Sequence, residues 1–156
     1  MATKITSSTL TLTIIENLEL NGVEQGGTNT IEFSGINESD RRIVSIPHDS
    51  ETTLYNLSSA IAAGTFAFST TKYIRVTNKD DSNFITLRLT NSDSDEVIFK
   101  LDAGQTHIIN GDLTNGMTAV IDAESGAAGS TLGQLSSLKA QADTATVDLE
   151  IFAAGT

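Results

Sequence analysis

Short segments in which apolar and polar side chains alternate make up most of the chain, and this alternation is typical of β-strands. The most regular segments follow one another between residues 72 and 110. They predict four strands: Tyr73–Asn78, Phe84–Thr90, Glu96–Leu101 and Gln105–Ile109. Turns rich in Asp, Asn, Ser and Gly separate these strands. The stretch therefore predicts a self-sufficient antiparallel β-meander with one apolar face and one polar face.

Alternation also predicts strands on both sides of this stretch. Near the N-terminus, Leu10, Leu12 and Ile14 alternate with threonines, and the pattern slips at Ile15, which predicts a bulge or a corner. The polar segment Gly35–Arg42 predicts a surface loop. The other predicted strands are Thr28–Ser34, Arg42–Pro47, Met117–Ala123 and Ala145–Phe152.

Two segments allow both a helix and a strand. In residues 50–63, Ser50 is a suitable helix cap and apolar residues recur at helical spacing, but 52–57 also fits a strand. Further along, Leu132, Leu135 and Leu138 fit a short helix or an irregular strand.

The number and spacing of the segments favour an all-β fold. About nine to eleven strands at short intervals predict a single domain, residues 1–156, that forms an antiparallel two-sheet β-sandwich of the jelly-roll type. One short helix near residues 51–63 is compatible with this fold. An immunoglobulin-type sandwich is the alternative, although the chain has no Trp and no Cys pair as its usual marker. We expect residues 1–20 to act as an N-terminal arm or strand that contacts neighbouring molecules.

The charge of the chain restricts its partners. The formal net charge is -11, and the nine basic residues are scattered. Such a surface repels nucleic-acid phosphates and anionic membranes, so we expect neither as a partner. The N-terminal sequence has no apolar segment of signal-peptide type, and no apolar run reaches the length of a membrane span. We therefore expect neither a signal peptide nor a transmembrane segment.

No residue pattern indicates catalysis, a cofactor or a metal site. His48 and His107 lack the clustered His-x-His ligands of a metal-binding jelly roll, and we expect a strand His107 that faces solvent or an interface. The acidic segments Asp80-Asp81 and Asp93–Glu96 lack the spacing of a calcium loop, and Asp is common in turns for backbone reasons. The sequence thus predicts a protein that is not an enzyme.

Glycan binding is a second hypothesis, and it depends on aromatic residues. Sugar sites usually present exposed aromatic rings, and the chain offers Tyr55 and Tyr73 and no Trp. Tyr73 is predicted on the polar face of its strand, where packing against a neighbouring strand is the stronger interpretation.

Part of the central stretch resembles small virion structural proteins of tailed phages, especially marine ones. The resemblance covers residues 64–105 and rests on Tyr73-Ile-Arg-Val-Thr-Asn78-Lys-Asp80, then Asn83-Phe-Ile85, and later Leu101-Asp-Ala-Gly104. It implies an all-β protein that decorates a capsid or forms part of a neck, tail or fibre. Jelly-roll cement proteins of this kind commonly form trimers, and they supply no catalytic residues.

Together these observations predict a structural virion protein. We expect a capsid decoration or cement protein that lies on the capsid surface, binds and stabilises the major capsid protein shell, and forms a homo-oligomer, a trimer. Ile15, Phe152 and Tyr73 are the residues that we expect at an interface. The alternative is a tail-fibre or surface module that binds a receptor or glycan.

Overall fold

The protein is an all-β molecule throughout the part of the chain that the structure describes. The computed structural model describes residues 5–58, 65–67, 69–92, 94–111 and 134–156. These ranges contain thirteen strands and no helix. In chain order, β1 to β13 are Ser8–Glu16, Glu19–Leu20, Val23–Glu24, Gly27–Ile36, Glu38–Ile46, Thr52–Ser58, Thr65–Ala67, Thr71–Asn78, Ile85–Asn91, Glu96–Leu101, Thr106–Asn110, Leu135–Ala142 and Val147–Gly155.

Two larger sheets form a β-sandwich. The five-stranded sheet has the order β10-β9-β12-β6-β7, and the four-stranded sheet has the order β11-β8-β13-β5. Neighbouring strands are antiparallel, except that β6 and β7 are parallel. The antiparallel sandwich predicted from the sequence is therefore confirmed.

The strand order is that of a jelly roll. Apart from the short β7, eight strands from β5 to β13 are divided equally between the two sheets. The chain changes sheet after β5, β7, β8, β10, β11 and β12. Besides the parallel pair β6 and β7, only β9 and β10 among these described strands follow each other within one sheet, where they form a hairpin. Eight strands in two four-stranded sheets, joined mostly by connections between the sheets, are the jelly-roll arrangement. In the immunoglobulin order the first two strands share one sheet, whereas β5 and β6 lie in different sheets.

The prediction of a four-stranded meander is wrong, although its strands are present. β8 and β11 pair with each other in the four-stranded sheet, whereas β9 and β10 pair in the five-stranded sheet. A flat meander would leave its apolar face uncovered. When the same four strands are divided between two facing sheets, each apolar face covers the other.

The core lies between the two sheets, and the predicted alternation identifies it. Ile74 and Val76 of β8 are fully buried, and so are Ile85 and Leu87 of β9. From the other strands, the core receives Ile46, Leu54, Tyr55, Leu57, Phe66, Leu101, Leu135, Leu138, Val147, Leu149 and Ile151, among others.

Several local predictions need correction. Residues 52–58 form strand β6, so the strand interpretation holds there, and residues 59–64 lie outside the described ranges. Leu135 and Leu138 belong to strand β12, while Leu132 and the predicted strand Met117–Ala123 lie outside the described ranges. No shift occurs at Ile15, because β1 keeps its register with β4 from residue 10 to residue 16.

The predicted loop Gly35–Arg42 is instead part of two long strands. β4 continues to Ile36 and β5 begins at Glu38, so only Asn37 separates them. Gly35 has a φ of 79°, which favours glycine and turns the chain from one strand into the next. The polar residues of β5 lie on an edge strand, where one face meets solvent, and the segment therefore resembles a loop in composition.

A polar cluster closes the edge of the sandwich where β5 faces β6. The Tyr55 hydroxyl donates a hydrogen bond of 2.8 Å to Asp40, and the Arg42 guanidinium lies 5.1 Å from the centre of the Tyr55 ring. Burial, reinforced by the hydrogen bond to Asp40, raises the pKa of Tyr55 far above its usual value. Tyr55 is therefore a protonated core residue that links the two sheets.

We expect Tyr55→Phe to lower the free energy of unfolding by about 1 kcal/mol at pH 7, because one hydrogen bond is lost and the ring is kept. In the wild type, the free energy of unfolding also falls as the pH rises above about 10, because Tyr55 then ionises in the unfolded chain and stays protonated in the folded chain. Urea denaturation at pH 7 and at pH 10.5 measures both effects. An alkaline loss of stability as large in the variant as in the wild type would contradict this role of Tyr55.

Candidate docking surface

A long hairpin extends from the sandwich. β1 and β4 pair over residues 8 to 36, and β2 and β3 continue the hairpin at its end. Asn21 and Gly22 both have positive φ, 53° and 78°, as the two central residues of a type I′ turn require. We call residues 8–36 the hairpin and residues 18–25 its tip.

A close contact fixes the junction between the hairpin and its tip. A Cβ atom at Gly26 would lie 1.9 Å from the backbone oxygen of Glu16, which leaves no space for a side chain. The Gly26 N–H also donates a hydrogen bond of 2.8 Å to the Glu24 carboxylate. This position therefore requires glycine, and it sets the direction of the tip.

We expect Gly26→Ala to separate β1 from β4 near the tip and to leave the sandwich folded. Gly27→Ala is the matched control, because a Cβ atom at Gly27 meets nothing within 4 Å. Amide hydrogen exchange by NMR should show at least tenfold faster exchange at residues 14–16 and 28–30 in the Gly26 variant. Equal exchange rates in the two variants would contradict the contact.

The base of the hairpin packs on the outer face of the four-stranded sheet. The rings of Phe33 and Tyr73 have centroids 6.0 Å apart, and those of Tyr73 and Phe152 are 5.8 Å apart. Leu10 and Leu12 of β1 face the same region. A cavity of about 290 Å³ remains between hairpin and sheet, and its lining residues are Leu10, Thr11, Leu12, Arg41, Tyr73, Arg75 and Phe152.

Two arginines beside this cavity share one carboxylate. Arg75 and Arg41 both donate hydrogen bonds to Glu150, the latter over 3.2 Å. These bonds, with that from Arg75 the stronger influence, lower the pKa of Glu150. The carboxylate therefore stays ionised and holds the two guanidinium groups in place beside the cavity.

The outer part of the hairpin exposes apolar side chains. Ile15, Leu18, Leu20 and Val23 each expose between 55% and 63% of their surface. On the described part of the sandwich, the large apolar residues with substantial exposure are Ile43, Ile98 and Phe99. Exposed apolar residues thus concentrate in nine consecutive positions of the hairpin, from Ile15 to Val23, and such concentration is typical of an interaction surface.

The three predicted interface residues occupy different environments. Ile15 is exposed on the hairpin, on the face that does not meet the sheet. Tyr73 exposes only 4% of its surface, because it packs between Phe33 and the half-buried Phe152. The structure brings Tyr73 and Phe152 together at the hairpin base and leaves Ile15 apart from them.

The sequence interpretation did not identify the tip as a surface of its own. Leu18, Leu20 and Val23 are not among the interface residues expected from the sequence. The available signal was Asn21-Gly22 with apolar residues on both sides, which is a strong hairpin signal.

The structure describes the surroundings of His107 and of the Asp80-Asp81 turn, whereas Asp93 of the second acidic segment lies outside the described ranges. His107 lies on strand β11, as predicted; its side chain is half-buried, and its ring stacks on Phe99 with centroids 4.7 Å apart. This burial lowers its pKa. The Asp80 carboxylate accepts hydrogen bonds from the backbone N–H groups of Ser82 and Asn83, which is a turn-forming role. Among the described residues, no group of three or more His, Asp or Glu could hold a metal ion.

The sequence matches no protein-family model, no curated protein and no solved structure. Within the described ranges, no helix is long and apolar enough to cross a membrane.

Proposed function

We propose that the protein is a non-enzymatic structural protein of a virion, a capsid decoration or cement protein that binds and stabilises the major capsid protein shell. The observation that carries this proposal is the exposed apolar tip of the hairpin. The hairpin is attached to a sandwich that buries its own core between its two sheets. The resemblance of residues 64–105 to virion proteins of tailed phages supports the same assignment.

The sandwich and the hairpin tip have different roles in the proposed function. The sandwich buries its apolar residues between its own sheets, so it is expected to be stable without a partner. The tip instead leaves its apolar side chains in water, where they contribute little to folding. Covering them with a partner surface is favourable, and repetition of the contact over many copies on one shell adds avidity.

The glycan-binding alternative receives less support from the geometry. Tyr55 and Tyr73 were its candidate aromatic platforms, and both are buried, at 1% and 4% exposure. A ring packed inside the protein cannot stack on a sugar.

The experiment is an occupancy measurement on particles. Shells assembled from the major capsid protein of the same virus are incubated with the full chain, sedimented, and analysed for bound chain and for the temperature at which the shells disrupt. We expect saturable binding with a fixed ratio to the shell subunits and a higher disruption temperature. Absence of bound chain at micromolar concentration would overturn the proposal.

The oligomeric state is a separate part of the proposal. We propose a homotrimer, as in the cement proteins that residues 64–105 resemble. Light scattering of the free chain and subunit counting on the shell measure it. A trimer on the shell is the expected result, and a single copy per site would refute the trimer without affecting shell binding.

A further inference from the structure

The hairpin is acidic as well as apolar. Residues 5–36 contain Glu16, Glu19, Glu24 and Glu32 and no Lys or Arg. The ion pairs among the described residues all lie in the sandwich, where every described arginine has a carboxylate partner. The hairpin therefore presents uncompensated negative charge around its exposed apolar side chains.

Two of these charges face each other. Glu19 of β2 and Glu24 of β3 are direct cross-strand partners, while Leu20 and Val23 form the neighbouring pair. Like charges in directly opposite positions destabilise a hairpin. Because strand neighbours point to opposite faces, the tip carries a pair of carboxylates on one face and a pair of apolar side chains on the other.

We propose that the hairpin tip binds in an apolar groove whose rim carries Lys or Arg residues, on the shell protein. This inference rests on the proposed function and names the chemistry of the partner surface. In such a groove, Leu20 and Val23 are buried, and the basic rim neutralises Glu19 and Glu24, which removes their mutual repulsion.

Charge also argues against a second copy of this chain as the occupant. Residues 37–156 contain sixteen Asp and Glu against eight Lys and Arg. A sandwich with that excess repels an acidic hairpin, whereas a basic rim attracts it. The groove is therefore assigned to a different protein.

The test measures shell binding of charge variants as a function of salt. Glu19→Gln/Glu24→Gln removes the two facing charges and keeps the side-chain size. Asp49→Asn/Asp81→Asn is the matched control, because it removes two exposed charges from loops of the sandwich. Dissociation constants are measured by sedimentation with assembled shells from 50 to 500 mM NaCl.

We expect the Gln variant to bind about tenfold more weakly than the wild type at 50 mM NaCl and to approach it at 500 mM, while the control stays within about twofold. Equal or tighter binding of the Gln variant would overturn the inference and leave the proposed function intact. Absence of wild-type binding would overturn both. A wild-type oligomer that dissociates in Leu20→Ser/Val23→Ser would show that the tip binds a second copy, and would also overturn the inference.

Discussion

Leu87→Ala is expected to lower the free energy of unfolding by about 2–5 kcal/mol, a large fraction of the roughly 5–15 kcal/mol that stabilises an ordinary domain. Leu87 is fully buried on β9, opposite Phe99 of β10 and Ala140 of β12. The substitution removes apolar contacts and leaves a cavity that the small Ala140 cannot fill.

Urea denaturation at 25 °C measures this effect, and Ile98→Ala is the control. Ile98 lies on the adjacent strand of the same sheet, but 55% of its surface is exposed on the outer face. Its replacement should change the free energy of unfolding by about 0.5 kcal/mol or less. If both variants lost similar stability, the assignment of the inner and outer faces of this sheet would be wrong.

Removal of the hairpin tip is expected to weaken shell binding about a hundredfold without loss of fold stability. Glu16 and Gly27 are directly paired, so residues 17–26 can be replaced by an Asn-Gly turn that closes the shortened hairpin. The deletion removes Leu18, Leu20 and Val23, each of which exposes somewhat more than half of its surface and would bury that surface against the shell. At about 1 kcal/mol for each, their loss gives the hundredfold effect.

A full-length variant separates the apolar surface from the length of the hairpin. Leu18→Ser/Leu20→Ser/Val23→Ser keeps the turn and the charges, and it should weaken shell binding nearly as much as the deletion does. Thermal unfolding of both variants should stay within about 2 °C of the wild type, because the replaced side chains are exposed. Unchanged shell affinity in the deletion variant would remove the tip from the binding surface.

The positions and faces of many strands followed from the sequence because burial imposes a period of two. Ile85, Leu87 and Leu89 are all buried on β9, as their alternation with Thr86, Arg88 and Thr90 predicted. The same holds for Ile74 and Val76 of β8. Local pattern determines which side of a strand is apolar, and this information is present in the sequence.

The pairing of the strands could not be predicted from the sequence in the same way. The residues of a turn indicate that the chain reverses, but they do not indicate which sheet the next strand joins. The segment between Asn78 and Ile85 was interpreted as a hairpin turn, but it crosses from one sheet to the other. The buried Asn78 side chain stabilises this crossing, since it donates hydrogen bonds to the backbone oxygens of Asn83 and Leu101. A short polar residue at a strand end gives no indication of such a long-range role.

The docking surface was only partly predictable for a related reason. Tyr73 and Phe152 lie on the polar faces of their strands and were therefore expected at an interface with another molecule. The hairpin supplies Phe33 to cover them, and a contact between residues so far apart in sequence has no local signal. The tip, in contrast, had a local signal in Asn21-Gly22 and its apolar neighbours.

We propose that the hairpin tip is the part of this protein that contacts a capsid shell. An electron cryomicroscopy map of shells incubated with the full chain would show this contact. We expect added density at fixed positions on the shell, with residues 14–25 against the shell protein and the sandwich directed outward. Density in which the sandwich contacts the shell and the hairpin points into solvent, or no added density at saturating concentration, would contradict it.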